Sequence, residues 1–206
     1  MPRDEQETTR TGLSRRGFLK TVSAGTVATG LINEAVETPT AAAQGERVLG
    51  PGAVSIKLSI NGETKSLEVE PRVTLLDALR NQLDLTGSKK VCDRGTCGAC
   101  TVLVDDKPMY SCSMLAIEAQ GHKITTIEGL GSPEKLAPIQ AAFVEHDAQQ
   151  CGFCTPGFVV ACAAFIKENP KATLEDVRAG LGGNLCRCGT YHGITEAVLQ
   201  VVKGGA

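Results

Sequence analysis

From Val54 to Glu70 the chain reads VSIKLSINGETKSLEVE, with apolar and polar positions alternating on both sides of Asn61-Gly62. Period-two alternation marks half-buried strands, and Asn-Gly accepts the positive φ angles of a two-residue turn, so the pattern predicts a β-hairpin. The period then changes. In PRVTLLDALRNQL, Leu75, Leu76, Leu79 and Leu83 recur at helical intervals behind Pro71-x-x-Thr74, which predicts one amphipathic helix. The strand TVLVDD, a turn at Asp106 to Pro108 and the segment ITTIEGL, ending at Leu130, complete a strand-rich half.

From Ser132 onward the pattern is helical. SPEKLAPIQAAFVEHDAQ opens on Ser-Pro-Glu, a capping residue with proline in the first turn, and TPGFVVACAAFIKENP repeats that device at Thr155-Pro156. TLEDVRAGL begins at Thr173 and stops at Gly182-Gly183, and YHGITEAVLQVVKG supplies a fourth helix. Four short helices predict a small bundle, so the fold class is α+β.

Ahead of both halves, SRRGFLK (Ser14 to Lys20) and the apolar run TVSAGTVATGLI, ending at Ile32, resemble a twin-arginine export signal. The run is too short for the roughly 20 residues that span a bilayer, and no other stretch reaches that length, so no transmembrane segment is expected. Small residues at Ala41 and Ala43 place a cleavage site before Gln44. The expected organisation is a signal over 1–43, a linker over 44–52, a strand-rich domain over 53–130 and a helical domain over 131–206. The twin-arginine route carries folded proteins, which implies a cofactor inserted before export to the periplasm.

Composition narrows the classes. The 206 residues are 42% hydrophobic and 21% charged, with a formal net charge of -2. That offers no field for gripping nucleic acid, and no basic run or aromatic platform supplies one locally. The nine cysteines carry more information.

Cys92, Cys97, Cys100 and Cys112 follow C-x4-C-x2-C-x11-C, the plant-type spacing for four thiolates around a 2Fe-2S cluster. Gly95 and Gly98 let a tight loop bend around the cluster, and its freed N–H groups can point at the sulfurs. A second set, Cys151 and Cys154 in QCGFCTPG with Cys186 and Cys188 in NLCRCG, lies in the turns before two helices. There the unpaired N–H groups and the helix dipole favour anionic sulfur. Zinc held by four cysteines and disulfides are the alternatives, although CGAC and CRC are awkward to bridge locally. Cys162, in the apolar run FVVACAAF, is left over and reads as a buried thiol.

The motifs CDRGTCGACTVLV, TTIEGL, QCGFCTPG and GNLCRCGTY, in that order over roughly 53–204, resemble the iron-sulfur subunits of the xanthine oxidase family of molybdenum hydroxylases. The resemblance implies an N-terminal β-grasp plant-type ferredoxin domain followed by a small four-helix-bundle 2Fe-2S domain. It implies two 2Fe-2S clusters on this chain, a molybdopterin cofactor on a large partner subunit, and an FAD-binding subunit or a c-type cytochrome as electron outlet. Gln150 and Cys188 match positions that approach the pterin. The chain would pass electrons from the molybdopterin subunit through its helical and then its plant-type cluster, in a periplasmic enzyme whose signal favours aldehydes as substrate. A stand-alone two-cluster carrier and an exported disulfide-stapled binding module are the competing readings.

One departure stands out: Val91 occupies the position before the first cluster cysteine, where the family has glycine. No general acid or nucleophile is evident. His122, His146 and His192 lack a metal spacing and read as surface or capping residues, Asp105-Asp106 reads as a turn, and Ser88 to Lys90 as a solvated face or a partner contact.

Overall fold

Strands β1 (Val54–Ile60) and β2 (Glu63–Val69) pair antiparallel, from Val54 opposite Val69 to Ile60 opposite Glu63. Asn61 at φ 52° and Gly62 at φ 84° form the tight turn that the alternation predicts. The computed structural model describes residues 49–204, so the expected export signal and cleavage site lie outside the described residues. Strand β5 (Lys123–Thr125) runs parallel to β1 and antiparallel to β3 (Thr101–Val104), and β4 (Lys107–Tyr110) closes the far edge. The mixed sheet has the order β2-β1-β5-β3-β4.

The turn after β3 falls on the Asp105-Asp106 pair that the sequence marks as a turn, and not on the Asp106 to Pro108 span. Asp105 (φ 49°) and Asp106 (φ 67°) make it, and Pro108 lies within β4 opposite Leu103. Proline is tolerated there because β4 is an edge strand, where a missing ladder donor costs little.

Helix α1 (Leu75–Asn81) starts where Thr74 Oγ1 accepts from the Asp77 N–H at 3.1 Å. It lays Leu75, Ala78 and Leu79 on Ile56, Leu58, Ile60, Val102 and Ile124 of the sheet. Leu83 falls beyond the helix end yet packs on the same core. Fully burying Leu75 and Leu79 contributes about 1.5–3 kcal/mol each.

Helices α2 (Pro138–Glu145), α3 (Thr155–Glu168), α4 (Leu174–Gly180) and α5 (Tyr191–Gly204) close on a second core that includes Phe143, Phe158, Val177, Ile194 and Val198. Two helix starts differ from the sequence expectation. Ser132-Pro133 opens no helix, because Pro138 has no N–H to continue one and holds Ala137 extended (φ -64°, ψ 152°) as the cap. Thr155 is not a cap either. The Phe158 N–H already bonds the Cys154 carbonyl at 3.1 Å, so Cys154 takes the cap position and Thr155 Oγ1 is buried without a partner among the described residues. Thr173 does cap α4, exchanging bonds with Asp176 in both directions.

The two cores share a seam within one compact unit. Leu103 of β3 packs against Val160 and Ala164 of α3, and Lys167 of α3 pairs with Asp106 at 3.2 Å. Among the described residues no helix is long and apolar enough to cross a membrane.

Candidate metal centres

All nine cysteines are free thiols. Eight fall into two groups of four. The first group is held by the loop between α1 and β3 and by the short 3-10 turn Ser111–Ser113 after β4. Cys92 and Cys97 lie within hydrogen-bond reach of one another, as do Cys100 and Cys112, and the Tyr110 ring feels the charge of all four. Backbone donors reach these sulfurs as the loop composition predicts: the Gly95 N–H to Cys112 Sγ at 3.3 Å and the Thr96 N–H to Cys92 Sγ at 3.4 Å. Gly98 has φ +70°, and a Cβ there would meet Asn184 at 2.6 Å. Only glycine fits that corner.

The loop polarises its thiols in opposite directions. Main-chain N–H groups near Arg94 and Thr96 hold Cys92 down at about 6. Burial pushes Cys100 up to about 11, with the neighbouring Cys112 adding to the rise. Tyr110 is raised by desolvation and by the four surrounding sulfurs.

The second group gathers Cys151 and Cys154, just before α3, and Cys186 and Cys188, just before α5. The pairing crosses between the two motifs: Cys151 interacts with Cys188, and Cys154 with Cys186. Burial pushes Cys154 up to about 12 and the adjacent Cys186 adds to it. Burial also pulls on Cys186, but the Thr190 hydroxyl, 3.1 Å from its sulfur, and further N–H groups outweigh it and set Cys186 at about 7. The Phe153 N–H and then Cys188 lower Cys151. Cys188 is raised, because its thiol and charge contacts with Cys151 and Cys186 outweigh the Cys151 N–H that lowers it. The two crossed pairs differ in position: Cys151 and Cys188 are exposed with Gln150, Phe153 and Arg187, whereas Cys186 is buried and Cys154 half-buried. Tyr191 Oη accepts from the Cys186 N–H at 2.8 Å and its ring packs edge-on to Phe158.

Among the described residues, no three His, Cys, Asp or Glu side chains form a set that could hold a single metal ion. A tetrahedral zinc site needs all four ligands converging on one point. Sulfurs gathered as two pairs per group fit the four thiolates that would hold a binuclear cluster. Thiols that share protons in pairs release them when iron binds. The donor chemistry, the N–H groups aimed at sulfur and the glycine at Gly98 therefore fit two 2Fe-2S clusters.

The remaining residues singled out by sequence take structural places. Burial raises the Cys162 thiol, which has no exposed surface. Val91 has no positive φ and its side chain is exposed, so the residue standing where the family has glycine causes no clash. His122 bonds Asp105 at 2.5 Å and His146 bonds Gln200. Lys90 is held by Asp77 and Asp93, and buried Ser88 gives its carbonyl to Arg80. Sequence reasoning missed Asn184, which is 6% exposed and donates from Nδ2 to Gly98 O at 2.9 Å. Its only sequence signal is its place two residues before Cys186.

Two family profiles match the two halves: a 2Fe-2S iron-sulfur cluster binding domain over 58–123 and a 2Fe-2S binding domain over 126–199. The aldehyde oxidoreductase iron-sulfur-binding subunit PaoA of Escherichia coli K12 is 43% identical over 201 residues, covering 90% of this chain and 86% of that protein. The nicotine 6-hydroxylase small subunit of Paenarthrobacter nicotinovorans is 47% identical, covering 71% of this chain and 88% of that one. The crystal structure of quinoline 2-oxidoreductase from Pseudomonas putida 86 superposes with a TM-score of 0.69 at 43% identity, over 74% of this chain and 98% of the matched chain. With both domains matched and identity sustained over nearly the whole length, the chain belongs to the iron-sulfur subunits of the aldehyde oxidoreductase and xanthine dehydrogenase family of molybdenum hydroxylases.

Proposed function

We propose that this chain is the electron-transfer subunit of a periplasmic, molybdenum-containing aldehyde oxidoreductase. In this reading residues 53–130 are a β-grasp ferredoxin domain whose cluster is ligated by Cys92, Cys97, Cys100 and Cys112. Residues 131–206 are a helical-bundle domain whose cluster is ligated by Cys151, Cys154, Cys186 and Cys188. Bound there, the clusters supply one-electron redox chemistry at potentials set by charge, hydrogen bonding and burial.

The chain's own residues give that chemistry a direction. Exposed Cys151, Cys188 and Gln150 form one edge of the helical group, open to a partner that carries molybdopterin. Buried Cys186 faces inward, next to Leu185, whose N–H bonds the Cys97 carbonyl at 3.0 Å. That link, one of several hydrogen bonds between the 183–185 turn and the first cysteine loop, carries the proposal, because it gives electrons a short covalent and hydrogen-bonded way from the exposed edge to the first site. The outlet beyond the first site is a flavin subunit or a c-type cytochrome. The SRRGFLK segment supports export as a folded, cofactor-loaded protein, in company with the large subunit.

The test is to purify the tagged chain with its natural partners from the periplasm and to assay metals and aldehyde oxidation together. Molybdenum co-purifying with iron, and aldehyde-dependent bleaching of the iron-sulfur absorbance, is the expected result. Iron without molybdenum would point to a free carrier instead.

A further inference from the structure

Three consecutive residues, Gly183, Asn184 and Leu185, all bond across to the first cysteine loop. Tyr110 Oη donates to the Gly183 carbonyl at 2.7 Å. Asn184 Nδ2 donates to Gly98 O at 2.9 Å and to Thr101 Oγ1 at 3.3 Å. The Leu185 N–H donates to Cys97 O at 3.0 Å. The partners are 73 to 86 residues away in sequence for the bonds made by Gly183 and Asn184, so nothing local creates this seam. Each partner lies beside a thiol: Cys97 itself, Gly98 between Cys97 and Cys100, Thr101 after Cys100, and Tyr110 two residues before Cys112. On the other side the next residue is Cys186.

Resting on the reading above, we propose that Asn184 is a positioning residue for electron exchange between the two sites. Its amide clasps the 97–101 loop so that the Leu185 to Cys97 bond is held short.

The energetics favour Asn184 as the clasp. It is the buried member of the three, while Gly183 and Leu185 are exposed, so Asn184 is the one shielded from competition with water. Its two acceptors are themselves joined, since Thr101 Oγ1 donates to Gly98 O at 2.6 Å. The loop can approach this closely only because Gly98 lacks a Cβ. Loss of the amide leaves Gly98 O with only its two bonds from Thr101, both within its own loop, so the loop is released to move away from the 183–185 turn. The exchange moves one electron between sites and makes or breaks no bond, so separation is what the clasp controls.

The experiment uses the complete, cluster-loaded protein with Asn184→Ala and the near-isosteric Asn184→Asp, which turns the donor into an acceptor facing two oxygens. Three readouts are taken: iron per chain, the magnetic splitting between the two fully reduced clusters, and the rate at which an electron injected by a photoreductant equilibrates between them. Both variants are expected to retain iron, with weakened splitting and equilibration slowed severalfold. A purely structural role would lower thermal stability and leave splitting and rate unchanged in whichever variant loads, and that result overturns the proposal. Failure of the wild-type chain to load two clusters would instead overturn the electron-transfer reading itself.

Discussion

A methyl group on Gly157 would stand 2.3 Å from the carbonyl oxygen of Gly98, so the first turn of α3 lies directly on the loop that carries Cys97 and Cys100. The same helix begins immediately after Cys154. This backbone contact acts with the Gly183 to Leu185 hydrogen bonds to set the spacing of the two thiol groups. Gly157→Ala meets main-chain atoms that cannot rotate away, and overpacking of this kind costs about 1–3 kcal/mol. Chemical denaturation of the loaded protein is expected to show that loss together with lower iron retention in the first group. Unchanged stability would mean that the seam yields easily.

Crossed pairing in the helical group makes a site-selective prediction. Cys188→Ser removes a sulfur from the exposed pair with Cys151 and leaves the 92–112 group untouched. Electron paramagnetic resonance of the reduced variant is expected to show one cluster signal lost or altered and the plant-type signal retained. Turnover in the assembled enzyme should stop, because on the proposed route electrons enter at the exposed edge. A fully active Cys188→Ser complex would contradict that route.

Tyr191→Phe should act on the same group more gently. It removes the acceptor for the Cys186 N–H and keeps the ring that packs on Phe158. The expected loss is roughly 0.5–1.5 kcal/mol of stability, since the freed N–H is only partly buried. A shift in the helical cluster's spectrum with the other cluster unmoved would locate the effect, and shifts in both would indicate coupling through the seam.

The acid limb of stability follows from exposed carboxylates. Asp105 sits below its ordinary value of 3.8 because of its bond to His122 and then the Lys123 N–H, and Asp176 is lowered by Thr173. Both are depressed in the folded chain, so the unfolded chain binds more protons in that window. Their contribution is complete above about 3.8 and is lost as pH falls through the lower folded values. Asp105→Asn should therefore flatten the decline of stability below pH 4 and change little at pH 7 beyond the lost pair. A melting series across pH 2 to 7 reads this out.

Local signals were legible where local physics decides. Alternation around Asn61-Gly62, the Thr74 and Thr173 caps and the spacing of the eight ligand-type cysteines each carried through to an observed element or cluster of thiols. Helix starts failed where a second residue overruled the cap signal, as Pro138 did to Ser132 and Cys154 did to Thr155. The crossing of Cys151 to Cys188 and the clasp of Asn184 on Gly98 depend on how distant turns meet in space. Periodicity and spacing within a segment contain no term for that. Val91 shows the reverse case: a departure visible in sequence that the exposed position absorbs.

The central claim is that this chain holds two separate 2Fe-2S clusters on eight cysteines. It is tested most directly by iron analysis and electron paramagnetic resonance of the protein purified anaerobically and reduced with dithionite. About four irons per chain and two distinct signals of equal intensity, one sensitive to Cys188→Ser and the other to Cys92→Ser, are the predicted result. Zinc in place of iron, or a single cluster signal lost equally in both variants, would contradict it.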